Sequence, residues 1–65
     1  MDIVKDLRPG VVVFGRVKGF PWWPALVTCA PDTSDWVKND GRVWCLFFND
    51  RTGAWLKATE IRPFD

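Results

Sequence analysis

Gly19-Phe20-Pro21-Trp22-Trp23-Pro24-Ala25 sets two adjacent tryptophans between prolines, with a phenylalanine just before them. Proline fixes its own φ and carries no backbone N–H, so no helix runs through this stretch. Pro21 and Pro24 also bias Phe20 and Trp23, the residues before them, toward extended geometry. The stretch reads as a stiff aromatic corner, neither a helix nor a regular central strand. Such a corner has two uses, and both are expected here. It plugs the end of a small barrel, and it presents ring faces to a ligand.

The segments on either side read as strands. Upstream, Pro9-Gly10 is a turn signal. The β-branched and aromatic run Val11-Val12-Val13-Phe14-Gly15-Arg16-Val17-Lys18 then follows. Period two puts Val11, Val13, Gly15 and Val17 on the inner face, and Val12, Phe14, Arg16 and Lys18 on the other. Gly15 leaves room for a close neighbour or marks a bend. Downstream, Trp23 to Cys29 makes a second strand, with Ala25, Val27 and Cys29 expected inside. A polar interruption runs from Ala30 to Arg42, with Asn39-Asp40-Gly41 as its strongest turn signal. Trp36 is the odd residue there, and reads as a clasp onto the barrel or as a contact for a partner.

Val43 to Phe48 is the third strand and the most apolar run. Asn49-Asp50-Arg51-Thr52-Gly53 turns the chain into a short fourth strand, Ala54-Trp55-Leu56. Lys57 to Glu60 reads as one helical turn, too short to stand alone. Ile61 to Phe64 closes as an edge strand, since Pro63 cannot donate to a ladder. Trp22 and Phe48 read as packing residues, and Trp44 and Trp55 as cross-strand packing or surface cover. The lead-in, residues 1–8, is compatible with a short strand, a helical turn or a tail, and residues 9–65 form the domain. The fold class expected is all-β: a small, strongly bent, five-stranded antiparallel barrel.

Composition limits the chemistry. A 65-residue chain makes one domain at most, and a domain this small is marginal without help. Here five Trp and five Phe supply it. There is no His, so the commonest general base and metal ligand is missing. Cys29 and Cys45 have no CxxC partner, so no metal site is expected. The chain has no signal-peptide pattern and reads as intracellular, which favours free thiols, although the spacing leaves a disulfide open. No apolar run approaches the ~20 residues of a membrane span. The carboxylates show no acid–base pairing, and there is no phosphate-cradling glycine loop, so no enzyme and no cofactor are expected. The net charge of +1 is far from that of a dedicated nucleic-acid binder. DNA contact must therefore come from a local cluster, Arg16 and Lys18, with Lys5 and Arg8 nearby in sequence.

These residues carry a family likeness. The corner Gly19–Ala25 resembles the signature of the PWWP domain, within the Tudor-like group. Pro9-Gly10 with Val12–Lys18, Val43–Asp50 with its Phe47-Phe48-Asn49-Asp50, and Ala54–Leu56 with Glu60–Phe64 resemble its other segments. The likeness covers residues 9 to 64. It departs at Val11, where the family usually has Asp, and at Gly15, where it commonly has Ala. The helices that usually follow the barrel are absent from the sequence.

The resemblance implies a non-catalytic chromatin reader in the nucleus, part of a larger nuclear protein and expected as a monomer. Its partners would be a methylated histone tail, most often lysine 36 of histone H3 in its trimethyl or dimethyl form, and nucleosomal DNA held weakly. By the family pattern the methyl-lysine cage maps onto Phe20, Trp23 and Phe47, with Val17 and Asp50 at its rim. Arg16 and Lys18 would contact DNA phosphates. Two other classes compete with this reading: a protein-interaction scaffold with a vestigial cage, and a pure DNA-binding module.

Overall fold

A computed structural model describes residues 7–64. Met1 to Asp6, most of the lead-in, and Asp65 lie outside the described residues. Five strands follow in order: β1 (Val12–Gly15), β2 (Trp23–Val27), β3 (Val43–Phe47), β4 (Gly53–Leu56) and β5 (Ile61–Pro63). A 3₁₀ turn over Ala58–Glu60 joins β4 to β5. All neighbouring pairs are antiparallel, and the sheet order is β4-β3-β2-β1-β5. The all-β, bent antiparallel architecture is the one the sequence implies, as a curled half-barrel whose last strand is an edge.

Period two builds the core. Val13 and Gly15 of β1, Ala25 and Val27 of β2, and Val43, Cys45 and Phe47 of β3 are the buried alternates. Leu56 and Ile61 complete the inside of the curl. Leu7, read from sequence as lead-in, also belongs to this core. Gly15 sits where β1 and β4 approach across the interior. A Cβ there would meet Leu56 Cδ1 at 2.8 Å and the Phe47 ring at 3.1 Å. The absent side chain thus lets the sheet curl tightly.

Several expectations change. β1 stops at Gly15, not Lys18. The Arg16 N–H still donates to Glu60 O at 2.9 Å, after which the chain turns through Gly19 at φ +90°. Val17 therefore leaves the inner face and is exposed. β2 stops at Val27, so Cys29 is exposed instead of buried, and both thiols are free. Phe48 falls just past β3 and is 55% exposed, not packed. Trp22 is half-buried at the surface, not in the core. The clasp reading of Trp36 holds: it packs against the core, its carbonyl accepts the Trp44 N–H at 2.9 Å, and Val37 bridges to Val43.

Candidate functional site

The two prolines set the geometry at the open end of the half-barrel. β2 begins at Trp23 within the corner, and the Phe20 N–H donates to Val17 O at 2.9 Å, closing a turn. Phe20 and Trp23 are left 62% and 38% exposed, high values for such large apolar rings. Phe47 arrives from the end of β3, opposite Ala25 of β2. These three rings and Val17 line a cavity of about 160 Å³, completed by Asn49, Asp50 and Thr52 from the β3–β4 turn. Phe47 is 5% exposed and forms its floor, while Phe20 and Trp23 stand as walls.

Asp50 is the charged residue among those lining this cavity. The Thr52 hydroxyl donates to Asp50 Oδ1 at 2.6 Å, and the Thr52 N–H donates to the same oxygen at 3.0 Å. These bonds, the hydroxyl first, hold the Asp50 carboxyl below its ordinary pKa, so it is ionised at neutral pH. Arg51 takes φ +61° in this turn, and its N–H donates to Phe47 O at 3.0 Å. The turn thus carries an anion to a concave surface that is otherwise mostly apolar.

The structure brings Val17, Phe20, Trp23, Phe47 and Asp50 to one cavity. Arg16 and Lys18 are exposed beside the corner but do not line it. The Arg16 guanidinium lies 5.9 Å from the Trp22 ring centroid, and Arg62 lies over the same ring at 4.3 Å. Trp22 is thus the apolar bed of a two-arginine cluster. Sequence reasoning missed Arg62, Asn49 and Thr52. Arg62 pairs with Phe14 on β1, so the outward face of β5 falls beside that of β1. Asn49 and Thr52 flank Asp50 in a turn that the sequence does signal. Among the described residues, no three His, Cys, Asp or Glu gather in a way that could hold a metal ion. None of their helices is long and apolar enough to cross a membrane.

Comparison with known proteins gives one answer. The family model of the PWWP domain matches residues 10–65. PWWP domain-containing protein 3 of Arabidopsis thaliana is 36% identical over 58 residues, 85% of this chain and 6% of the relative. DNA mismatch repair protein Msh6 of Homo sapiens is 33% identical over 63 residues, 91% of this chain and 5% of the relative. PWWP domain-containing protein 4 of Arabidopsis thaliana is 36% identical over 59 residues, 86% of this chain and 6% of the relative. The chain therefore spans only a small part of the length of the curated relatives it matches.

Proposed function

Because the chain belongs to the PWWP domain family, we propose that it is a non-catalytic chromatin-reader module that takes a methylated lysine of a histone tail into the cavity between Phe20, Trp23 and Phe47. PWWP domains are generally non-catalytic and associated with chromatin, which supports the class. The observation that carries the reading is the cavity itself, three ring faces and one carboxylate around an open space. A trimethylammonium group cannot donate a hydrogen bond. It is recognised by ring faces, whose quadrupole attracts a diffuse cation. Asp50 adds an ionised partner at the rim.

The proposed mark is trimethyl or dimethyl lysine 36 of histone H3, and the proposed compartment is the nucleus. Each ring contact contributes ~0.5–2 kcal/mol. A site of this size working alone then binds with a dissociation constant on the order of 0.1–10 mM. Arg16 and Lys18, with Arg62 beside them, would add phosphate contacts on nucleosomal DNA. Linking two weak contacts raises avidity by ~10²–10⁴ when both engage at once.

NMR titration of the labelled domain with histone H3 peptides, unmodified and trimethylated at lysine 36, tests this. Shifts at Phe20–Trp23 and Phe47–Asp50 with the methylated peptide alone are expected. Equal responses to both peptides would favour a scaffold role. Steep salt dependence on DNA with no methyl dependence would favour a DNA-binding module.

A further inference from the structure

The curled sheet has two outer strands, β4 and β5, and their free edges are not equivalent. Antiparallel ladders alternate, so one known hydrogen bond fixes which residues point outward. On β5 that bond is Arg16 N–H to Glu60 O. With Phe14 opposite Arg62, the backbone groups of Ile61 and Pro63 face away from β1. The Ile61 N–H donates to Ala58 O, and Pro63 has no N–H. The β5 edge therefore presents no free donor.

On β4 the bond from Phe47 N–H to Thr52 O, 2.8 Å, sets the alternation. Leu46 opposite Gly53 and Trp44 opposite Trp55 are then the pairs that exchange no hydrogen bonds. An independent bond agrees, since Trp44 O accepts from Thr28 N–H on the far side of β3 at 3.2 Å. Gly53 and Trp55 thus point both N–H and C=O outward. Among the described residues, neither N–H donates to a turn, loop or side-chain group. Proteins ordinarily blunt such an edge with proline or charge. Gly53-Ala54-Trp55-Leu56 has neither. Gly53 directly follows Thr52, which lines the cavity.

We propose that the free edge of β4 is the backbone-recognition half of the same site, pairing with an extended polypeptide segment through Gly53 and Trp55 while that segment's methylated lysine fills the cavity. The proposal rests on the methyl-lysine reading of the cavity. It adds a requirement that the cavity cannot impose. The partner must be an unfolded tail able to extend beside its modified lysine, with a free N–H at alternate residues. Strand addition of this kind draws affinity from main-chain bonds and selectivity from a side-chain pocket. Successive outward groups on β4 lie ~7 Å apart, so two alternate partner residues are read.

The test uses the ¹⁵N-labelled domain with three probes: tetramethylammonium ion, the histone H3 peptide trimethylated at lysine 36, and a series of that peptide N-methylated at each residue beside the lysine. Tetramethylammonium should shift the cavity residues Phe20–Trp23 and Phe47–Asp50 and leave the Gly53 and Trp55 amides unmoved. The peptide should also move the Gly53 and Trp55 amide protons downfield and slow their exchange about tenfold. N-methylation at alternate positions should weaken binding about tenfold, one net hydrogen bond, and at the intervening positions much less. If the peptide shifts Phe20–Trp23 but leaves the Gly53 and Trp55 amides unmoved, the edge proposal is wrong and the cavity reading stands. If the edge amides move without Phe20–Trp23, the edge stands and the cavity reading is wrong. If no probe moves either, both fail.

Discussion

Two of the clusters of aromatic rings in the molecule are used in opposite ways. Trp44 and Trp55 face each other across β3 and β4, with ring centroids 5.4 Å apart at 65°. Gly53 lies under the Trp44 indole, and the Lys38 ammonium sits 4.8 Å above the Trp55 ring. A group of the chain itself lies against each of these rings. Phe20, Trp23 and Phe47 are as aromatic, yet among the described residues none of them stacks on another ring. They converge around space instead. Aromatic content alone does not mark a site. What matters is whether neighbouring groups already cover the ring faces. Prolines on both sides of the Trp22-Trp23 pair hold those faces apart where a flexible segment would let them collapse together.

Gly53→Ala attacks the filled cluster and should have the largest effect. Its Cβ would run into the Trp44 indole, 2.8 Å from Cε2 and closer to Cζ2. Overpacking of this kind costs about 2 kcal/mol. For a domain this size that lowers Tm by about 10 °C, read by thermal or denaturant unfolding. Phe20→Ala attacks the open cluster and should do the reverse. Trimethyl-lysine peptide binding should fall about tenfold, while stability stays within about 0.5 kcal/mol. Equal destabilisation by the two substitutions would erase the distinction between the clusters.

Thr52→Val sharpens the contrast at the cavity rim. It removes the hydroxyl bond that contributes most to holding the Asp50 carboxyl low. A lowered carboxyl pKa keeps its anion, and any stability it brings, above the unfolded-state value. Both are lost as pH falls through the folded value. Affinity for a cationic peptide should therefore be flat near neutrality and drop in acid. In Thr52→Val the drop should move to higher pH, and Thr52→Ser should restore it. Carbon-detected NMR of the Asp50 carboxyl alongside peptide affinity reads both. The cysteines repeat the contrast on a smaller scale. Burial pushes the Cys45 thiol up to about 12, whereas Cys29 is exposed. One thiol per folded chain should react with a thiol reagent at neutral pH, and the second only in denaturant.

Much of this was legible in the residues. The period-two alternation in Val13–Gly15, Ala25–Val27 and Val43–Phe47 fixes which side chains are inside. The proline-bounded corner fixes where the chain must bend. What failed to show were the strand ends. Val17 and Cys29 are apolar and keep the period-two phase of the inner faces, yet both lie past the last ladder bond. Alternation stops predicting burial once the strand stops. Phe48 misleads for the same reason, sitting one step beyond β3. Trp22 and Arg62 were hidden differently. Their meeting depends on β5 pairing with β1, a long-range contact that no local pattern encodes.

Phe47 serves two masters, because one side of its ring closes the core near Gly15 and the other floors the cavity. Its freedom to change is therefore unequal to that of its neighbours. On the proposed reading, a new residue at position 20 alters ligand choice and leaves folding nearly untouched, and one at position 23 costs more because Trp23 also belongs to β2. A new residue at position 47 must satisfy the barrel before it can serve any ligand. Diversification of specificity in such a scaffold, whether by natural drift or by a designed library, should run through the two walls and leave the floor in place.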